Sequence, residues 1–186
     1  MNSDGLLRRD TLIYKMHIWI SLFFLIIVEQ GIKLIINNKF LDRHFPILEP
    51  WLHFKPMFNR DYSWLNSMLQ LGIGKWVHIL VVAGISILIL LFYAFLNKEA
   101  ASSPLVDTAF VFLLAGALCS LIDKIFWDGS LDYIQVKGLF TFDLKDVYVN
   151  VFVGLLFLML LVNHRGIRQM DDRRLVKDFI RFLQGK

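Results

Sequence analysis

Four long apolar runs, at about 18–36, 76–96, 105–122 and 147–162, constrain this chain more than any other feature. About 20 apolar residues is the length an α-helix needs to cross bilayer hydrocarbon. With no water in lipid to satisfy backbone N–H and C=O groups, such runs fold as helices. Composition agrees, since 56% of the 186 residues are hydrophobic and 17 are Phe, far too apolar for an ordinary soluble domain. The fold class expected is all-α transmembrane: a four-helix membrane bundle.

The connections fill in the plan. Residues 37–75 hold Pro46, Pro50, Pro56, Trp51, Trp64, Phe54 and Phe58 and no run long enough to span. Long loops are functional or disordered, and this richness in aromatic residues argues for order, with rings at headgroup level. The alternation in WLHF adds a strand or two, so an extramembrane outer loop with a small β platform is expected. NKEAASSP, residues 97–104, is a short turn that makes the second and third spans antiparallel neighbours. The basic N-terminus precedes an apolar run without a small-residue cleavage site, which reads as a retained first helix.

Residues 1–163 form the membrane domain on this reading, and 164–186 a basic tail. In the tail Leu175, Phe179 and Phe182, with Val176, Ile180 and Leu183 beside them, recur at helical spacing. This marks an amphipathic helix for an anionic membrane surface or for a partner. Four spans place both termini on one side. That side carries eleven of the 20 Lys and Arg residues, so the termini are expected in the cytoplasm and the longer loops outside.

Charged groups within the apolar runs carry the functional argument. The third run meets Asp123 and the fourth follows Asp146, so two carboxylates face each other across one acidic loop. A charge near hydrocarbon costs about 2.5–3.5 kcal/mol when central and less near the interface. Either each Asp marks the stop of a span, or the pair does work. Glu29 and Lys33, in the outward half of the first span with Gln30, have the i, i+4 spacing of a helical ion pair and share the depth of the two aspartates. Two carboxylates close to one water hold one proton between them: one takes a proton from the water, and the other polarises an amide carbonyl. Such a site needs no metal and no covalent intermediate, and no cofactor is expected.

Other chemistries fit less well. Asp123, Asp128, Asp132, Asp143 and Asp146 match no calcium-loop spacing and read as a solvated acidic face. Cys119 stands one turn before Asp123 with no histidine near it in sequence to activate it, and reads as a small buried thiol; a single cysteine also excludes an intrachain disulfide. His78, at the end of the second span, reads as interfacial. No phosphate-cradling glycine loop, zinc-ligand pair or nucleophile elbow is present, and no nucleic-acid partner is indicated. A small transporter is disfavoured because the acids lie at span ends and not at midplane.

At these residues the chain resembles the lipoprotein signal peptidases, or signal peptidase II, aspartic peptidases of the bacterial inner membrane. In GALCSLIDK, Gly116, Ala117 and Asp123 keep the spacing of the family's GGAxGNxxDR. Leu131, Asp132 and Tyr133 echo its Val-Asp-Phe. FDLKD echoes F-N-x-A-D and gives Asp146, and EQGIK echoes D-Q-x-x-K and gives Glu29, Gln30 and Lys33. Asn59 and Trp64 remain of an outer-loop Asn followed by Gly-Ala-Ala-Phe.

The resemblance implies removal of signal peptides from prolipoproteins just before a diacylglyceryl-modified cysteine, with Asp123 and Asp146 as the dyad. It also implies a globomycin-sensitive enzyme at the inner membrane, with its site near the outer face, membrane lipids and lipid-modified prolipoproteins as partners, and a monomeric state. Asn59, Glu29, Gln30, Lys33, Gly116, Ser120, Lys124, Asp132 and Asp143 are its expected supporting residues. The chain departs from the pattern in places. Cys119-Ser120 replaces Gly-Asn, Lys124 replaces the closing Arg, and Asp143 and Lys145 replace the Asn and Ala before the second aspartate. Ser120 is shorter than Asn, and a third carboxylate at Asp143 raises the pair's proton affinity unless Lys145 or Lys124 offsets it. The alternative function is a non-catalytic relative that binds lipopeptides or scaffolds an envelope protein.

Overall fold

A computed structural model describes residues 3–98, 103–127, 129–162 and 172–185. Six helices are described: α1 (Ser3–Lys39), α2 (Trp64–Leu69), α3 (Lys75–Lys98), α4 (Pro104–Phe126), α5 (Leu144–Leu161) and α6 (Asp172–Leu183). Four segments are long and apolar enough to cross a membrane: Ile13–Lys39 of α1, and α3, α4 and α5 entire. Their outer faces carry large bare apolar side chains, Ile27 at 68%, Leu80 at 73% and Leu161 at 67% exposure. In water such a surface would associate, and in a bilayer it meets acyl chains.

The helices outrun the apolar stretches that announce them. α4 continues past Ile122 to Phe126, and α5 begins at Leu144, before Val147. Hydropathy falls at Asp123 and Asp146, but backbone hydrogen bonding does not stop there. α5 starts where a capping box holds it: the Asp143 side chain accepts from Asp146 N at 3.3 Å, and the Asp146 side chain accepts from Asp143 N at 3.2 Å. Asp123, Lys124, Lys145 and Asp146 therefore sit on helix ends with fixed directions.

α4 is the central helix, packing against α1, α3 and α5. Of its span window 44% is buried, against 17% for each of the others. Its small residues permit this, since membrane helices gain little from hydrophobic burial and associate through close packing. Ala115 and Cys119 are fully buried. A Cβ on Gly116 would lie 2.7 Å from Val149 Cγ2 and 3.2 Å from the Lys145 carbonyl, so α4 and α5 touch at this glycine. At the other end Asp107 of α4 accepts from Tyr14 of α1 at 2.6 Å and from Tyr93 of α3 at 3.0 Å, tying three helices together.

The stretch between the first two spans folds further than its weak alternation suggests. It supplies β1 (Phe45–Leu48), β2 (Leu52–Asn59) and α2, and the acidic loop supplies β3 (Ser130–Val136) and β4 (Thr141–Phe142). The sheet is antiparallel with order β1-β2-β3-β4, and at its heart Met57 faces Asp132 and Asn59 faces Ser130. Ile36, Leu131 and Tyr133 form the core beneath it, seating the sheet on the ends of the helices. α6 lays Leu175, Phe179 and Phe182 on the cluster around Phe95, Leu96 and Met159, with Phe179 edge-on to Phe92 at 5.4 Å. This apolar face is thus used within the chain, while Val176, Ile180 and Leu183 stay exposed.

Candidate active site

The sheet and the ends of α1, α4 and α5 enclose a cluster of ionic side chains below a cavity of about 1080 Å³. Glu29 and Lys33 enter from α1 one turn apart, and their ion pair of 2.9 Å is fully buried. Lys33 Nζ also lies 2.5 Å from Asp123 Oδ2 and 2.7 Å from Asp143 Oδ2. One ammonium thus joins carboxylates from α1, α4 and the start of α5. Burying charge in this way is tolerable only when each group is paired, because an ion stripped of water costs several kcal/mol.

Asp123 has no exposed surface. Its Oδ1 accepts from Gln30 Nε2 at 3.2 Å, and Gln30 is itself oriented by Trp127 Nε1 at 3.0 Å. Its Oδ2 accepts from Ser130 Oγ at 2.9 Å and lies 3.4 Å from Lys145 Nζ, besides the contact with Lys33. Asp146 lines the cavity wall, beside Lys145, Ser130 and Asp132. Lys145 thus links Asp123 to Asp143, and the backbone of Asp143 carries the network on to Asp146.

The other expected residues take distinct positions. Asp143 contacts Lys33 and Lys145 and is fully buried. Burial alone would raise its carboxyl, but the two ammonium groups bring it down to about 2. The offset to a third carboxylate thus comes from Lys145 and Lys33. Lys124 turns back to Ser120, its Nζ donating to Ser120 Oγ at 2.8 Å, and both line the cavity. Asp132 Oδ1 lies 3.0 Å from Ser130 Oγ, competing with Asp123 for its one proton, and pairs with Lys145 at 3.4 Å. Burial raises its carboxyl to about 6, with Lys145 opposing. Asn59 ends β2 at the cavity, and its Oδ1 accepts from Asp61 N at 3.1 Å. Gly116 supports the site from outside it, by letting α5 approach α4.

Ser130 is a residue that motif spacing did not single out. Its hydroxyl joins Asp123, Asp132 and Lys145. The available signal was strand periodicity, because Ser130 and Asp132, two apart on β3, must point to the same face. His78 bonds Ser63 Oγ at 3.2 Å and borders the cavity. Among the described residues Asp132, Asp143 and Asp146 bring carboxylate oxygens within 4.8 Å of one another, the spacing a cation would need. Two of the three already contact Lys145, which supplies positive charge there. Asp128 lies outside the described residues.

Four membrane-length helices, a small antiparallel sheet on one end and a buried ionic cluster beneath it define an integral membrane protein with a candidate site at the mouth of the bundle. The family model for signal peptidase (SPase) II matches residues 21–162, and the chain belongs to that family of proteases. It is 25% identical over 159 residues to a lipoprotein signal peptidase of Bacillus pumilus, covering 83% of this chain and 98% of the relative. A lipoprotein signal peptidase of Fusobacterium nucleatum is 27% identical over 143 residues, covering 75% and 83%. Two solved bacterial membrane enzymes, determined in meso at 2.3 and 1.9 Å resolution, share the fold, with TM-scores of 0.64 and 0.62. They are 20% and 23% identical to this chain and cover 81% and 78% of it, and 90% and 92% of their own lengths.

Proposed function

We propose that this chain cuts diacylglyceryl-modified prolipoproteins ahead of the lipid-modified cysteine, as an aspartic endopeptidase in which Asp123 and Asp146 activate water. The observation that carries the reading is the position of Asp146. It is fixed by a capping box at the cavity wall, one network away from the buried Asp123, at the end of the bundle where lipid-facing and polar surfaces meet. A lipid-anchored peptide lying along the bundle would present its scissile bond at that height. The protein is a monomer in the bacterial inner membrane, with both termini cytoplasmic and the cavity near the outer face. Its basic flanks support this orientation, because cytoplasmic segments carry the excess of Lys and Arg.

A second reading is favoured by Lys145, whose ammonium contacts Asp123 and Asp143 and so already balances the carboxylates that would share a proton. On that reading the protein binds lipopeptides without cutting them. Cleavage of a diacylated prolipoprotein by purified protein separates the two. Asp123→Asn and Asp146→Asn are each expected to abolish cleavage while the protein inserts and melts as wild type. Full activity in either variant excludes the pair, and binding without cleavage by wild type establishes the second reading.

A further inference from the structure

We propose that Lys145 is a catalytic group of this site: its ammonium polarises the scissile carbonyl, the task a shared carboxyl proton performs in an acid pair. The inference rests on the peptidase reading above and reassigns one role within it: Asp146 activates the water, and Asp123 holds Lys145.

Lys145 Nζ is fixed by four oxygens. Ser130 Oγ lies at 2.6 Å, Asp123 Oδ2 and Asp132 Oδ1 each at 3.4 Å, and Asp143 Oδ2 closer still. The side chain nevertheless reaches the cavity wall, which the fully buried Asp123 and Asp143 do not. A peptide in the cavity therefore meets an ammonium and a carboxylate on successive residues, Lys145 and Asp146, in the first turn of α5. Lys33, the other deeply buried ammonium, is enclosed by Glu29, Asp123 and Asp143 and has no exposed surface. Lys124 borders the cavity but is bound to Ser120.

The step balances without any further reactant. Asp146 takes a proton from water as the water oxygen bonds to the carbonyl carbon. The C=O π pair moves onto oxygen, where a Lys145 N–H, turned from its long 3.4 Å contacts with Asp123 and Asp132, donates a hydrogen bond. When the pair returns, the C–N bond breaks and the proton on Asp146 passes to the leaving nitrogen. Asp146 is again a carboxylate, Lys145 has kept its proton, and the products are a carboxylic acid and an amine. Asp123 acts in this scheme through Lys145, by orienting it.

A carboxyl pair polarises a carbonyl only while it holds its proton, whereas an ammonium does so to higher pH. Carboxylates outnumber cations around Lys145. Asp123 faces it from α4, Asp132 from β3, and Asp143 and Asp146 from its own segment, with Glu29 and Lys33 behind on α1 and Lys124 on α4. Across the cavity stand Arg60, Asp61 and His78.

The test is the kcat and KM profile of the full-length protein in detergent on a diacylated prolipoprotein, from about pH 5 to about pH 9. Wild type is expected to hold its rate from about pH 7 to about pH 9, a range in which an ammonium keeps its proton. Lys145→Ala is expected to lose at least about tenfold in kcat at about pH 8, with little change in KM, and to recover toward about pH 5 as a carboxyl pair regains its proton. Asp143→Asn/Lys145→Ala, which removes the ammonium together with a balancing carboxylate, serves the same purpose if the single variant does not fold. Wild-type activity that falls off between about pH 7 and about pH 9, or either variant as fast as wild type at about pH 8, overturns the role of Lys145 alone. No cleavage by wild type at any pH, or cleavage unaffected by Asp146→Asn, overturns the peptidase reading and this inference with it.

Discussion

Asp143 and Lys145 are a buried, contacting pair, two residues apart at the start of α5. A buried ammonium without its carboxylate, or the reverse, leaves an uncompensated charge worth about 3–5 kcal/mol, while removing both is close to neutral. Asp143→Asn and Lys145→Ala should therefore each destabilise the protein by about 3 kcal/mol in thermal or denaturant unfolding in detergent, and the double variant by much less than their sum. Additive losses would show that the two side chains are independent. The same residues give the stability a pH dependence of two signs. Asp143, held at about 2, stabilises the fold fully above its unfolded value of about 3.9 and loses that contribution as pH falls through about 2. Asp132, raised to about 6, destabilises the fold above that pH and is relieved as pH falls toward about 4. Melting temperature should thus be higher at about pH 5 than at about pH 7.5, and Asp132→Asn should reduce that difference.

At the scale of elements the site depends on how closely α5 approaches α4. Gly116 has Val149 Cγ2 and the Lys145 carbonyl where a Cβ would go, and Lys145 and Asp146 ride on the turn that would be displaced. Gly116→Ala should cost about 1–3 kcal/mol by overpacking and lower cleavage by shifting the first turn of α5. Because part of the clash is with a side chain, Val149→Ala should restore much of both, and failure to do so would place the cost in the Lys145 backbone. Gly129 plays the matching part in the sheet. Its φ is +111°, and a Cβ there would lie 2.6 Å from the Asn59 carbonyl, so β3 can lie against the end of β2 only without a side chain. This apposition puts Ser130 opposite Asn59 and so under the cavity.

For the molecule as a whole, the site end and the opposite end of the bundle are separate problems. α6 packs on Phe92, Phe95 and Met159, far in sequence and in contacts from Asp123 and Asp146. Phe179→Ala should lower stability in detergent by about 2 kcal/mol and leave the cleavage rate per folded molecule unchanged; a slower rate would tie α6 to the site. The sequence by itself determined that four helices cross a membrane, because predominantly apolar runs of about membrane length leave the backbone in lipid no other way to satisfy its hydrogen bonds. It also marked Glu29, Lys33, Asp123 and Asp146 as exceptional, since charge is rare in such runs. It did not determine that Asp123 is buried under Ser130 and Lys145 while Asp146 faces the cavity. That outcome is set by the pairing of β2 with β3 and the contact of α4 with α5, both between segments remote in sequence. The polarity of a residue says that it needs a partner, and only the packing of distant segments decides which partner it finds.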